Sequence, residues 1–182
     1  MKKFLFLLSF IFAINLTAQE RRISNYVLGV NYLKSEIINA DLKMYNIHFE
    51  KQSTNNITFG GEIYFKSGTI KSGTEFTNQE IKNLYFGGPT ILYTGSVFGM
   101  LHYKATITGT IGYMHHEQYD FDMVAISKSL YYGFIGKLEG LAIVSTRMQF
   151  VLGLGFMKGF AQSDAVKLDS NPFYHIGLTY MF

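Results

Sequence analysis

The sequence predicts an all-β fold: an eight-stranded antiparallel up-and-down transmembrane β-barrel, preceded by a cleaved signal peptide. Three observations predict it. The first is the stretch Phe173 to Phe182. Its alternate residues Tyr174, Ile176, Leu178, Tyr180 and Phe182 are all large and apolar or aromatic. The interleaved set, Phe173, His175, Gly177, Thr179 and Met181, is smaller and more polar in its middle. Strict alternation marks a strand with two different faces. The second is composition: 48% hydrophobic residues, 16% charged, 18 glycines, and aromatics that are all Tyr or Phe. That balance fits β-structure in lipid better than a soluble helical protein. The third is that no apolar run of spanning length follows residue 18. A membrane protein without such a helix must be a closed barrel, because closure alone satisfies every strand's backbone groups in hydrocarbon.

Residues 1–18 read as a signal peptide. Lys2 and Lys3 form the basic start, Phe4 to Leu16 the apolar stretch, and Ala18 offers a small residue for cleavage. Removing Lys2 and Lys3 from the 16 basic residues leaves 14 against 13 acidic ones, so the formal +3 falls to about +1. Nucleic-acid binding gains no support. Cysteine is absent, which excludes disulfides, thiolate metal sites and a lipid-modified cysteine. Residues 19–182 form one domain.

Eight strands are expected. Strand one, Tyr26 to Leu33, has Tyr26, Leu28, Val30 and Tyr32 on one face. Ile38 to Leu42 is a connecting segment with Asn39 and Asp41 as turn formers. Strand two, Lys43 to Lys51, sets Tyr45, Ile47 and Phe49 against Met44, Asn46, His48 and Glu50. Ser53 to Asn56 is a compact turn. Strand three, Ile57 to Lys66, alternates cleanly, with Glu62 and Lys66 opposite Phe59, Ile63 and Phe65. Ser67 to Gln79 reads as a polar loop.

Strand four, Ile81 to Thr94, fits an outer face of Leu84, Phe86 and Leu92, and Gly87-Gly88-Pro89 predicts a bulge. A tight connection at Gly95-Ser96 leads to strand five, Val97 to about His116. Its faces are Leu101, Tyr103, Ala105, Ile107, Ile111 and Tyr113 against His102, Lys104 and a row of Thr. Glu117 to Lys128 is a longer loop. Strand six, Leu130 to Ile143, sets Leu130, Tyr132, Phe134 and Leu138 opposite Gly133, Lys137 and Glu139. Strand seven, Gln149 to Ala161, sets Phe150, Leu152, Leu154 and Phe156 opposite Gly153, Gly155 and Gly159. Gln162 to Pro172 is the last loop, before strand eight. Connections thus alternate long and short, and strand lengths match a tilted crossing of the hydrocarbon layer.

Two features choose a lipid-facing apolar surface over a soluble barrel with an apolar interior. The non-apolar face is rich in Gly and Thr with few charges, which suits a crowded lumen and not a wetted exterior. Aromatics also gather at strand ends: Tyr32, Tyr45, Phe65, Tyr113, Tyr132, Phe156 and Tyr174 at one, Tyr26, Phe150, Tyr180 and Phe182 at the other. That is a double aromatic girdle.

On these residues the chain resembles the small eight-stranded outer-membrane barrels of the OmpA/OmpX type. The terminal strand resembles their carboxyl-terminal assembly signal, carried by Tyr174, Ile176, Leu178, Tyr180 and Phe182. The signal ending Ala18-Gln19 and the Tyr/Phe-rich strands resemble versions from Bacteroidota. The resemblance implies residence in the bacterial outer membrane, reached through the periplasm. It implies contact with outer-membrane lipids and lipopolysaccharide, and with the barrel-assembly machinery through the last strand. Because the sequence ends with the barrel, the peptidoglycan-binding domain found in OmpA-like proteins is not expected.

The residues that carry chemistry are few. Glu50, Glu62, Lys66, Lys104, Lys137 and Glu139 are expected to face the lumen as a paired network, with His48 and His102 nearby, because unpaired buried charge is costly. The competing reading is a gate or narrow ion path. His115, His116, Glu117, Asp120 and Asp122 are the densest set of metal-ligand types. Adjacent strand residues point to opposite faces, which argues against a site there, and no metal or cofactor is expected. Ser127 or Ser129 with His116 and Asp120 could be drawn as an acyl-transfer triad, a weak pattern in loop-type residues, so no enzyme is expected. Loop aromatics Phe76, Tyr119 and Phe121 offer a candidate surface for a protein partner. The expected function is a non-catalytic structural, envelope or surface-interaction role. The alternatives are an outer-membrane component of an export or conjugation apparatus, a lipid A-modifying enzyme, and a narrow small-solute pore.

Overall fold

A computed structural model describes residues 26–37, 40–51, 56–66, 70–74, 77–98, 101–120, 123–159 and 171–182. The signal-peptide assignment lies outside these residues. The described elements are β1 (Tyr26–Ile37), β2 (Ala40–Lys51), β3 (Ile57–Lys66), β4 (Ile70–Thr74), β5 (Thr77–Phe98), β6 (Leu101–Asp120), β7 (Met123–Ile143), β8 (Met148–Gly159) and β9 (Asn171–Met181). All pairings are antiparallel. β1 pairs with both β2 and β9, and β3 pairs with β5, so eight strands close a barrel. β4 is an addition that pairs with the start of β5 outside the ring of eight.

The seam is the pairing foreseen for the last strand. Leu28 faces Tyr180, Val30 faces Leu178 and Tyr32 faces Ile176. All six of these residues except half-buried Tyr32 are exposed on the outer wall. Across the outside, apolar side chains stand free of protein, as with Ile107 at 66% exposure and Leu154 at 69%. A closed barrel with that exterior is built for hydrocarbon. One aromatic girdle is continuous in register: Tyr32, Tyr45, Phe65, Tyr85 and Tyr113 face one another across successive strands. Their rings stand 5.4–5.7 Å apart at Tyr32–Tyr45, Tyr45–Phe65 and Tyr85–Tyr113. At the opposite rim, Tyr26 stacks on Phe49 at 5.5 Å and Tyr180 meets Phe182 at 5.2 Å. The rim holding Tyr26 and Phe182 is here the base, and the other the distal rim.

Several expectations need correction. Leu84, Phe86 and Leu92 face the lumen, each 2% exposed, and Tyr85, Ile91 and Tyr93 face outward. Leu84-Tyr85-Phe86 is apolar at every position, so its pattern held no parity. The register against Phe65 on β3 and Tyr113 on β6 sets it. The bulge is not at Gly87–Pro89, where the β3 pairing runs unbroken through Gly61 opposite Pro89. The irregularities fall between Ile81 and Asn83 and between Ser96 and Phe98. Gly95-Ser96 is therefore inside β5, which continues to Phe98.

Three expected loops are largely strand. Ser67 to Gln79 contains β4 and the start of β5. Glu117 to Lys128 is a hairpin extension, with Glu117 opposite Ile126, Tyr119 opposite Val124 and Asp120 opposite Met123. Ile38 to Leu42 likewise joins β1 and β2 through Ile37 opposite Ala40. These stretches are rich in polar residues, and their backbone groups find partners simply by prolonging an existing ladder. The apolar pattern reported only the part of each strand that meets lipid.

The lumen is filled in layers. A polar layer lies on the base side of an apolar one, and Val27, Leu92, Leu141 and Val151 add buried apolar side chains nearer the base. Asn31 gives way to Leu33 on β1, Glu62 to Tyr64 on β3, Thr108 to Met114 on β6 and His175 to Phe173 on β9. The apolar layer packs Leu33, Met44, Tyr64, Leu84, Phe86, Met114, Tyr131, Ile135, Met157 and Phe173 into one cluster. Tyr64 stacks on Phe86 at 5.1 Å, and Phe86 meets Tyr131 at 4.5 Å.

Candidate functional site

The polar layer is built from strands that place one or two charges each at similar height. β2 supplies His48 and Glu50, β3 Glu62, β6 Lys104, β7 Lys137 and Glu139, and β9 His175. All lie in the middle of regular strands, so the period of two aims them inward. Each is at most 7% exposed.

Five of these charges form an alternating chain. Lys104 Nζ donates to Glu50 Oε1 at 2.6 Å and sits 2.8 Å from Glu139 Oε2. Lys137 Nζ donates to Glu62 Oε1 and stands 3.7 Å from Glu139 Oε1. The order is Glu50, Lys104, Glu139, Lys137, Glu62. Donors surround both ends. Thr108 Oγ1 donates to Glu62 Oε2 at 2.8 Å, and the Tyr64 hydroxyl donates to the same oxygen. His48 Nε2 lies 3.5 Å from Glu50 Oε1. His175 Nε2 is 2.9 Å from Glu139 Oε1.

The expected network of Glu50, Glu62, Lys104, Lys137 and Glu139 is therefore brought together. Lys66 is not part of this chain. Two turns of the pleat beyond Glu62, it donates to the Ile81 carbonyl. Its distance along β3 carries it past the polar layer into the distal half. His102 stays half-buried nearer the base, and His48 is the histidine that joins. Sequence reasoning missed His175 and the hydroxyls of Tyr64 and Thr108 as partners. The inward parity of His175 was legible. Its meeting with Glu139, 36 residues away, depends on the β7–β8–β9 register, where Glu139 faces Gly153 and Gly153 faces His175.

Glycines make room for both imidazoles. A Cβ on Gly29 would collide with the His48 ring, and one on Gly153 would collide with the His175 ring. The bare backbone opposite each histidine thus decides that the ring lies flat across the neighbouring strand. Asn31 Nδ2 donates to Asn46 Oδ1 at 2.9 Å and lies 3.3 Å from His48 Nδ1. Asn46 Nδ2 in turn reaches the Ile63 carbonyl at 3.4 Å.

His115 and His116 lie within regular strand, His115 opposite Lys128 and His116 opposite Ser127. His115 Nε2 is 3.7 Å from Glu117 Oε1 on the same face, and Glu117 Oε2 is 3.4 Å from Lys82 Nζ. The side chains of His116, Asp120, Asp122 and Ser127 lie outside the described residues. Among the described residues no group of three or more metal-ligand types converges.

No protein-family model and no curated protein matches this chain. Solved structures do. The N-terminal β-barrel domain of Pseudomonas aeruginosa OprF matches with a TM-score of 0.51 at 8% identity, over 87% of this chain and 98% of that one. Neisserial surface protein A matches at 0.56 and 12% identity, over 86% and 96%. Ail, the attachment invasion locus protein of Yersinia pestis, matches at 0.51 and 9% identity, over 87% and 97%. The fold is that of the small eight-stranded outer-membrane barrels. At these identities the likeness concerns the fold alone, and the chemistry of the lumen is this chain's own.

Proposed function

We propose that this protein is an integral bacterial outer-membrane barrel with a non-catalytic role in envelope structure or surface interaction. The observation that carries the reading is the filled lumen. A complete apolar layer lies across the barrel above a layer of mutually paired charges. Such an interior supports the wall of the barrel and leaves no open path for solutes. The Tyr/Phe-rich strands and the Ala18-Gln19 junction favour a Bacteroidota-type barrel.

The surface side of the proposal rests on the distal extension. β6 and β7 stay paired for seven residues past the Tyr113–Leu130 pair, or roughly 23 Å of strand. Val124 and Ile126 stand 54% and 62% exposed on that extension. Apolar side chains held out on a rigid hairpin suit a protein partner outside the membrane.

Planar-bilayer recording on the folded protein tests the sealed lumen. Current at or near baseline is expected, and a large steady conductance would overturn the reading. Lipid A from expressing cells should keep its acyl pattern. A changed pattern would restore the enzyme alternative.

A further inference from the structure

We infer that the outer wall holds one bilayer lipid at a fixed seat, with an acyl chain in a depression over Gly109 and its anionic phosphate headgroup on Lys158. Outward residues on this part of the wall are mostly large. Ile107, Ile111, Tyr132 and Phe134 all stand exposed there. Gly109 shares their face and has no side chain, and on β5 Pro89 presents only its ring. The result is a depression of about 500 Å³ lined by Pro89, Gly109, Ile111, Tyr132 and Phe134. A Cβ built on Gly109 meets no atom within 4 Å. The depression lies directly under the distal girdle, since Ile111 faces Tyr132 and girdle residue Tyr113 is one pleat further on. Lipid chains are the solvent of this surface, so a chain fills it.

The register supplies the headgroup partner. Gly109 faces Phe134, and Phe134 faces Lys158. Lys158 continues the outward row of Leu154 and Phe156 on β8, so its side chain leaves the wall on the lipid side. The Phe134 and Phe156 rings, 6.1 Å apart, give its stem an apolar bed. A lysine stem lies along such a surface while its ammonium reaches out to the headgroups. The cation is thus brought to the edge of the depression, where a lipid phosphate complements it. A second depression, of about 620 Å³, lies over Ala105 and Gly136 nearer the base. Its outward walls Ile107, Leu138, Leu154 and Phe156 face no charged residue in register. It takes chains without choosing among headgroups. The inference concerns the lipid-facing wall and is independent of the sealed lumen and of the distal hairpin.

The chain has no tryptophan, so a single Tyr132→Trp reports on this depression alone. Its fluorescence is measured in phosphatidylcholine vesicles that contain either phosphatidylglycerol or phosphatidylcholine brominated in the acyl chains. Electrophoretic mobility of unheated samples confirms that each variant is folded. Quenching should show a preference of about fivefold for the anionic lipid, the effect of one lysine near the headgroups. Ile63→Trp, exposed on β3 between Ile47 and Gly87, should show none. In the Tyr132→Trp protein, Lys158→Gln should abolish the preference and Lys158→Arg should keep it. Gly109→Leu has open space for its side chain, fills the depression and should abolish the preference with the lysine still present. Equal quenching by the two lipids at Tyr132→Trp overturns the inference. So does the same preference at Ile63→Trp, which would make the attraction diffuse. A preference that survives Lys158→Gln removes the headgroup partner, and one that survives Gly109→Leu leaves a lysine without a seat; either result overturns it.

Discussion

Two adjoining layers of the lumen solve the same packing problem with opposite chemistry. Toward the distal rim, Tyr64, Phe86, Tyr131, Met114 and Met157 fill the barrel by shape, as a soluble core does. In the layer next to it on the base side, Glu50, Glu62, Glu139, Lys104 and Lys137 fill it by pairing, and each depends on partners from other strands. The apolar layer can lose one member and keep the rest of its contacts. In the polar layer, removing Lys104 or Lys137 takes a charge partner from two carboxylates at once. The difference teaches that stability in this barrel is local in one layer and collective in the other.

Lys104→Met is the strongest way to break the comparison. It strips Glu50 and Glu139 of their shared ammonium, and a loss of about 3–5 kcal/mol is expected in vesicle unfolding. Planar-bilayer recordings of the same variant should stay near baseline, since the apolar layer still closes the lumen. A large stable conductance would mean that the polar layer alone is the seal. In the apolar layer, Met114→Ala should cost about 2–5 kcal/mol through lost burial and a residual cavity. Its cost should add to that of a second distal substitution such as Met157→Ala more nearly than Lys104→Met adds to Lys137→Met, where both remove charge from Glu139.

The outer wall sharpens the contrast further. Ile107 points into lipid at 66% exposure, so Ile107→Lys should destabilise the barrel by about 2–4 kcal/mol if it sits near mid-membrane. The smallest effect belongs to the distal hairpin. Val124→Ser lies outside lipid and lumen alike and should change stability by less than about 0.5 kcal/mol. Loss of a surface partner in a pull-down, with stability unchanged, would separate the hairpin's role from the barrel's.

Much of this was legible in the chain because lipid imposes a strict period. Wherever one face met hydrocarbon and the other the lumen, as in Tyr26 to Tyr32 or Lys104 to Thr110, alternation gave both strand and face. The failures have physical causes. Leu84-Tyr85-Phe86 carries large apolar groups on both faces, because at that height the lumen is apolar too. The hairpin from Glu117 to Lys128 has no lipid to impose a pattern. Lys66 has the parity of the network and the wrong height, and parity holds no information about height.

By itself, then, the sequence determined a closed barrel, its lipid-facing residues outside β5 and the sign of each lumen charge, since all three follow from local alternation and the cost of bare backbone in hydrocarbon. Only the tertiary structure decided which charges meet. Strand register and the stagger of a closed sheet set the height of each residue. They bring Lys104 to Glu50 across 54 positions and His175 to Glu139 across 36. No local pattern encodes those distances, because they exist only once the first strand has found the last.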